Sequence, residues 1–201
     1  MEDAKANADE IRTHLKTCLD EQQARKWHYN PLFDLHAFDC HQDTPFEILH
    51  GILLGFVKYF WRESINGLSE GQKTLVAERL SAADPNGLGC SSPRGETLVQ
   101  YAQSLVGTDF RIIAQLAIFA LHDLVSQLQL DAWVALGRLC RLVWRPSISD
   151  IGQYCHELET VIHHFLNKTA LLSPQWFNKR KFHLLLHLPT HVQRFGPATS
   201  F

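Results

Sequence analysis

The run spanning residues 46–61 limits what this chain can fold into more than any other stretch. Leu49, Ile52, Leu53, Phe56, Val57 and Phe60 recur three and four residues apart, the spacing that gathers side chains on one face of a helix. Glu47, His50, Leu54, Lys58 and Arg62 fall on the opposite side. So broad an apolar stripe has to be covered, and other elements must pack around it. The start of the helix is marked too. Thr44 has the side chain of an N-cap, Pro45 suits the first helical position, and Glu47 follows the cap by three residues, which together make a capping box. The pattern predicts a helix over residues 45–62.

The remaining periodicity is also helical. Residues 4–26 are rich in Ala, Glu, Lys, Gln and Leu, and Ile11, Leu15, Cys18 and Leu19 form a thin stripe, as expected of a peripheral helix. Residues 27–42 hold Pro31, several aromatics and His28, His36 and His41 without a period, and read as an extended connector. After the central helix, Asn66-Gly67 is a stop and Ser69 with Gln72 a second capping box, opening a helix to about residue 82 with Leu75, Val76 and Leu80 inward. Residues 84–94 form a loop. A helix over 96–106 ends with Gly107 at C′, and Thr108 caps a long one to about 128 with Ile112, Leu116, Phe119 and Leu124 on its face. Helices over 131–144 and 149–168 follow, divided by Pro146, the latter burying Ile151, Tyr154, Leu158, Val161, Ile162 and Phe165. Ser173-Pro174 begins a turn, and a last helix covers 179–187. No stretch alternates as a strand does, and no repeat is present. The expectation is an all-α, irregular bundle of about seven to nine helices, with a peripheral helix in residues 1–30 and a helical domain in 31–201.

Composition narrows the function classes. With 201 residues, 45% of them hydrophobic and 20% charged, the chain can bury one sizeable core. A net charge of −2 supplies no overall pull on nucleic acid, so any such contact must be local. Lys179, Arg180 and Lys181 are the one tight basic cluster, and Arg194 lies beyond it. Such a cluster reads as a phosphate contact or as a solvated helix start. Five cysteines, widely spaced and without a Cys-x-x-Cys pair, favour free thiols in a reducing, intracellular setting. The longest nearly apolar run, 112–121, is too short to span a membrane and is interrupted by Gln115.

Two blocks carry a resemblance to a known group. Asp43-Thr44-Pro45-Phe46-Glu47-Ile48-Leu49-His50-Gly51, continuing to Trp61, resembles the middle segment of transposase-derived proteins abundant in fungal genomes, of the Kyakuja-Dileera-Zisupton (KDZ) and CACTA-like groups. Trp176-Phe177-Asn178-Lys179-Arg180-Lys181-Phe182-His183, continuing to Leu188, and then Arg194-Phe195-Gly196-Pro197-Ala198, resembles the segment that in such proteins runs into the last catalytic carboxylate. The likeness covers roughly residues 31–201. It implies the helical insertion of an RNase H-like transposase, without its sheet. Intact relatives join three carboxylates around two Mg or Mn ions, which activate the attacking hydroxyl and stabilise the leaving oxygen. By correspondence Glu47 would be the second metal carboxylate, in place of the family's Asp, with Asp43 the rival carboxylate and His50 the companion of Glu47 one helical turn on.

The same resemblance implies that the first and third carboxylates fall outside this sequence, which stops at Phe201, so that the expected object is a catalytically incomplete transposase fragment. DNA is a partner only by that likeness, and a nuclear site follows only if the family role is kept, a cytoplasmic one otherwise. The alternative is a helical protein-interaction module, docking through exposed connector aromatics such as Trp27, Tyr29 and Phe33. Each candidate residue also has a structural reading. Glu47 serves equally as a capping residue, Asp43 favours a helix dipole from just before the cap, and His50 suits a half-buried position. His183 and His187, four apart, have a spacing able to seat zinc, whereas Pro189 should end the helix after Leu188 and turn His191 elsewhere. Surface histidines on an amphipathic helix account for the pair equally.

Overall fold

The computed structural model describes residues 2–24, 35, 36, 38, 39 and 42–201, with side chains described from residue 10 to 21 in the first helix. Trp27, Tyr29, Phe33, His28, Cys40 and His41 lie outside the described residues. Every regular element among the described residues is helical, in nine α-helical segments with short 3-10 stretches between them, so the all-α expectation holds. The chain divides into two compact units, 1–44 and 45–201.

The first unit contains α1 (Glu2–Ala24), whose Ile11, Leu15 and Leu19 are all more than half exposed. Later in this unit, the Asp43 N–H donates to the Asp39 carbonyl and the Asp39 N–H returns a bond to Asp43 Oδ2, each at 2.7 Å. Asp43 therefore closes a local turn.

The second unit is built on the apolar run. Residues Leu49–Val57 form a π-helix that passes without a break into α2 (Lys58–Asn66). The helix starts three residues later than expected. Pro45 and Phe46 are not helical, and Glu47 takes over the capping role expected of Thr44. The reason is tertiary. The Phe46 ring fills the space a Cβ would need at Gly51, and its N–H donates to His191 Nδ1 at 3.0 Å, so the chain cannot coil until it has made both contacts.

Around this helix stand α3 (Glu70–Ser81), α4 (Gly95–Gln100), α5 (Gly107–Leu121), α6 (Gln127–Val143), α7 (Ile151–Leu172), α8 (Arg180–Leu184) and α9 (Leu188–Phe195). Phe56, Phe60, Trp61, Trp133, Phe165 and Phe182 are at most 2% exposed and form one aromatic core. Phe56 lies 4.7 Å from Phe182 and 5.2 Å from Phe165 between ring centroids, and Phe60 meets Trp133 edge-on at 5.7 Å. Rings of this size dominate core energetics, each worth about 3–5 kcal/mol against truncation. The polar atoms carried inside are answered. Trp61 Nε1–H donates to the Leu98 carbonyl at 2.9 Å, and Ser64 Oγ accepts from Trp133 Nε1–H at 3.0 Å.

Helix ends and faces follow the local signals only in part. The Ser69–Gln72 capping box forms as expected, and Val76 and Leu80 are buried, but Leu75 is exposed. Gly107 opens α5 instead of closing the helix before it, and Asp109 rather than Thr108 caps the turn by accepting the Val106 N–H at 3.1 Å. The helix expected over 108–128 ends at Leu121, and the one expected over 131–144 begins earlier, at Gln127. Asp123 adopts a φ of 66°, with Arg79 forked across its carboxylate, and Ser126 caps α6. Asp150, not Ser149, caps α7, and Ile151 is exposed.

Candidate functional site

Two parts of the second unit concentrate polar and basic groups. The first is the corner where the two resemblance blocks meet. Glu47 Oε2 accepts the His50 N–H at 3.0 Å and contacts His50 Nδ1 at 2.5 Å, while Oε1 takes the Leu49 N–H. Partial burial pushes the Glu47 pKa up, but the His50 ring and the two backbone N–H groups outweigh it and hold it below the ordinary value. Lys181 reaches over from α8, donating to the His50 carbonyl at 2.5 Å and the Leu54 carbonyl at 3.4 Å. Those carbonyls belong to the widened π-helical turns, so the ammonium caps backbone groups on a helix whose ladder is irregular. Burial first, then the neighbouring Lys58, lowers the Lys181 pKa, with Glu47 opposing.

Lys179 stands 5.2 Å from the Tyr59 ring centre and 5.3 Å from that of Trp176, a cation–π seat. Arg180 is exposed, and Arg194 lies 5.4 Å from the Phe195 ring. The corner thus brings Glu47, His50, Lys179 and Lys181 into one neighbourhood. Mg²⁺ and Mn²⁺ favour several oxygen ligands. The donor set here, one carboxylate already accepting three hydrogen bonds, one imidazole and an ammonium, does not fit them. Among the described residues no group of three or more His, Cys, Asp or Glu is placed to hold a metal ion.

A histidine row runs beside this corner. The chain does not turn away at Pro189. It tightens to a 3-10 turn over Leu185–His187 and resumes as α9, with Pro189 in the first turn, where it needs no N–H. His191 therefore stays near the row, its ring centre 6.4 Å from that of His187, and is buried. Its pKa is lowered by burial and then by His187, consistent with a neutral ring whose Nδ1 accepts the Phe46 N–H.

The second part is a groove of about 750 Å³ between α5 and α6, beyond the turn 122–126 that joins them. Ala114, Ile118, Val134 and Gly137 make an apolar floor, and Phe119 on the rim is 73% exposed. Arg111 from α5 and Arg138 and Arg141 from α6 line it as well. All three are exposed, and among the described residues none of them is in an ion pair. Cys140 forms part of the floor, where burial pushes its thiol pKa up to about 12, so it is inert as a nucleophile. Sequence reasoning missed this groove because Phe119 was assigned to the core. The available signal was Arg138 and Arg141, three apart on the polar side of a helix with no acidic neighbour at matching spacing.

No family model, no curated protein and no solved structure matches this chain. No helix among the described residues is long and apolar enough to cross a membrane.

Proposed function

We propose that this chain is the helical insertion region of a KDZ- or CACTA-like transposase-derived protein, and that it works as a docking domain. The groove between α5 and α6 takes an acidic amphipathic helix from a partner protein. The observation that carries the docking reading is the set of three exposed arginines, in no ion pair among the described residues, around an apolar floor with Phe119 exposed on its rim. Two neighbouring helices leave a furrow suited to a third, and an apolar stripe on that third helix covers the floor. Carboxylates flanking the stripe meet the guanidinium groups, whose planar forks bind them two atoms at a time.

The transposase reading rests on the likeness of the two blocks in sequence, and in the fold those blocks lie against each other: Phe56 meets Phe182 and Lys181 caps His50, both across more than a hundred residues.

The test uses the full chain and a labelled amphipathic peptide of about 15 residues, with leucines at helical spacing and glutamates beside them. Anisotropy is expected to show saturable binding that weakens at least tenfold on Phe119→Glu and on Arg138→Glu with Arg141→Glu. A basic peptide of the same apolar pattern is expected not to bind. Equal binding of both peptides, or self-association of the chain that buries Phe119, overturns the reading.

A further inference from the structure

His183 and His187 are exposed and face each other across one turn, Nε2 to Nε2 at 3.4 Å, with ring planes 82° apart. We propose that this pair is a two-histidine chelate for a tetrahedral divalent cation of the zinc class. Bonds of about 2.0–2.1 Å at a tetrahedral angle of about 109° hold two ligand nitrogens roughly 3.3–3.4 Å apart. The bite is therefore already set. An octahedral ion with right-angle ligands at similar bond lengths needs nitrogens closer together, about 2.8–3.0 Å, and the hard cations of that geometry prefer oxygen.

The backbone beneath the pair is held by its neighbours. Phe182, Leu185 and Leu188 are at most 1% exposed and anchor the inner face of the α8–α9 segment, so the chelate opens only if the core shifts. Each ring binds through the lone pair on Nε2 and keeps its proton on Nδ1. Where one ring donates its Nε2–H to the other in the free protein, that proton moves to Nδ1 of the donor ring when the ion takes its place. No net proton is lost while both rings are neutral.

His191 does not supply a third ligand, because its Nδ1 accepts the Phe46 N–H and its own proton therefore sits on Nε2. Two coordination positions remain for water or for donors from another molecule. This inference does not depend on what the α5/α6 groove binds.

The experiment is a Zn²⁺ titration of the full chain against a chromophoric chelator, after alkylating accessible thiols. Alkylation is needed because Cys18 lies 3.7 Å from His14 Nε2 and offers a competing pair. One equivalent is expected to bind in the micromolar range, and His183→Ala and His187→Ala are each expected to weaken it at least tenfold. Circular dichroism should stay unchanged, since both rings are exposed. Binding is also expected to move the His183 and His187 ring-nitrogen resonances while leaving those of His191 in place. A wild-type chain that takes up no zinc, or either alanine variant titrating like wild type, overturns the proposal.

Discussion

The corner around Lys181 and the groove between α5 and α6 both gather cations on a helical surface, and they differ in what those cations touch. In the corner, Lys181 is spent on two backbone carbonyls, Lys179 on two rings, and Glu47 on the first N–H groups of the central helix. In the groove, Arg111, Arg138 and Arg141 are in no ion pair among the described residues, and the apolar floor between them is open. A charge that already has its partner holds the fold together. One that has none, beside an apolar surface that nothing covers, is available for recognition. In the corner the polar side chains are engaged within the fold, whereas the groove arginines carry no ion pair among the described residues.

That contrast breaks most sharply at the core under the corner. Phe182→Ala removes a ring touching Phe56, Phe165 and Trp176, and should cost about 3–5 kcal/mol in urea unfolding. A loss below about 1 kcal/mol would mean that the two similar blocks do not share a core. Lys181→Met keeps the stem and removes the ammonium, leaving the His50 carbonyl without that donor. A loss of about 0.5–1.5 kcal/mol is expected, because the bond is exposed and water can take the place of the donor. No change would mark the lysine as a free surface cation like the groove arginines.

A pH series sharpens the same side of the comparison. His191 has a folded pKa below its ordinary 6.5, so its contribution is complete above that pH and is lost as pH falls through the folded value. Glu47 likewise lies below its ordinary 4.5, and its smaller contribution, reduced by solvent screening, is lost further into acid. Stability of the wild type should therefore begin to fall just below pH 6.5, and His191→Leu should flatten that first step while leaving the second. The smallest effect on stability belongs to the groove. Arg138→Glu should stay within about 0.5 kcal/mol of wild type while peptide binding collapses, since an exposed arginine with no ion pair holds nothing in the fold. A large loss of stability there would erase the distinction between the two regions.

Local pattern made the helices legible. The apolar spacing of the central run, the Ser69–Gln72 cap and the Tyr154–Phe165 stripe are each short-range signals, and each is in place except that Leu49, expected on the buried stripe, is exposed. What failed were the ends. Thr44, Gly107, Thr108 and Ser149 all have the chemistry of a helix terminus, yet competing caps at Glu47, Asp109 and Asp150 took the positions. A cap is worth about 1 kcal/mol, less than a distant contact such as Phe46 on Gly51 adds, so tertiary packing decides between neighbouring candidates. The break at Asp123 was hidden for a similar reason, because its partner Arg79 lies more than forty residues away.

The order of apolar and polar residues thus determined, by itself, that this chain is helical, where most of its helices run, and that Phe56, Phe60 and Phe165 turn inward, while Phe119, expected inward as well, is exposed. Periodicity acts within a few residues, and no knowledge of neighbours is required to read it. Only the tertiary structure decided the fate of the polar groups: that Glu47 caps, that Lys181 serves carbonyls, that the Nε2 atoms of His183 and His187 stand 3.4 Å apart, and that three groove arginines are in no ion pair among the described residues. Whether a charge is used or free depends on what packs beside it, and that is settled by contacts between residues far apart in the chain.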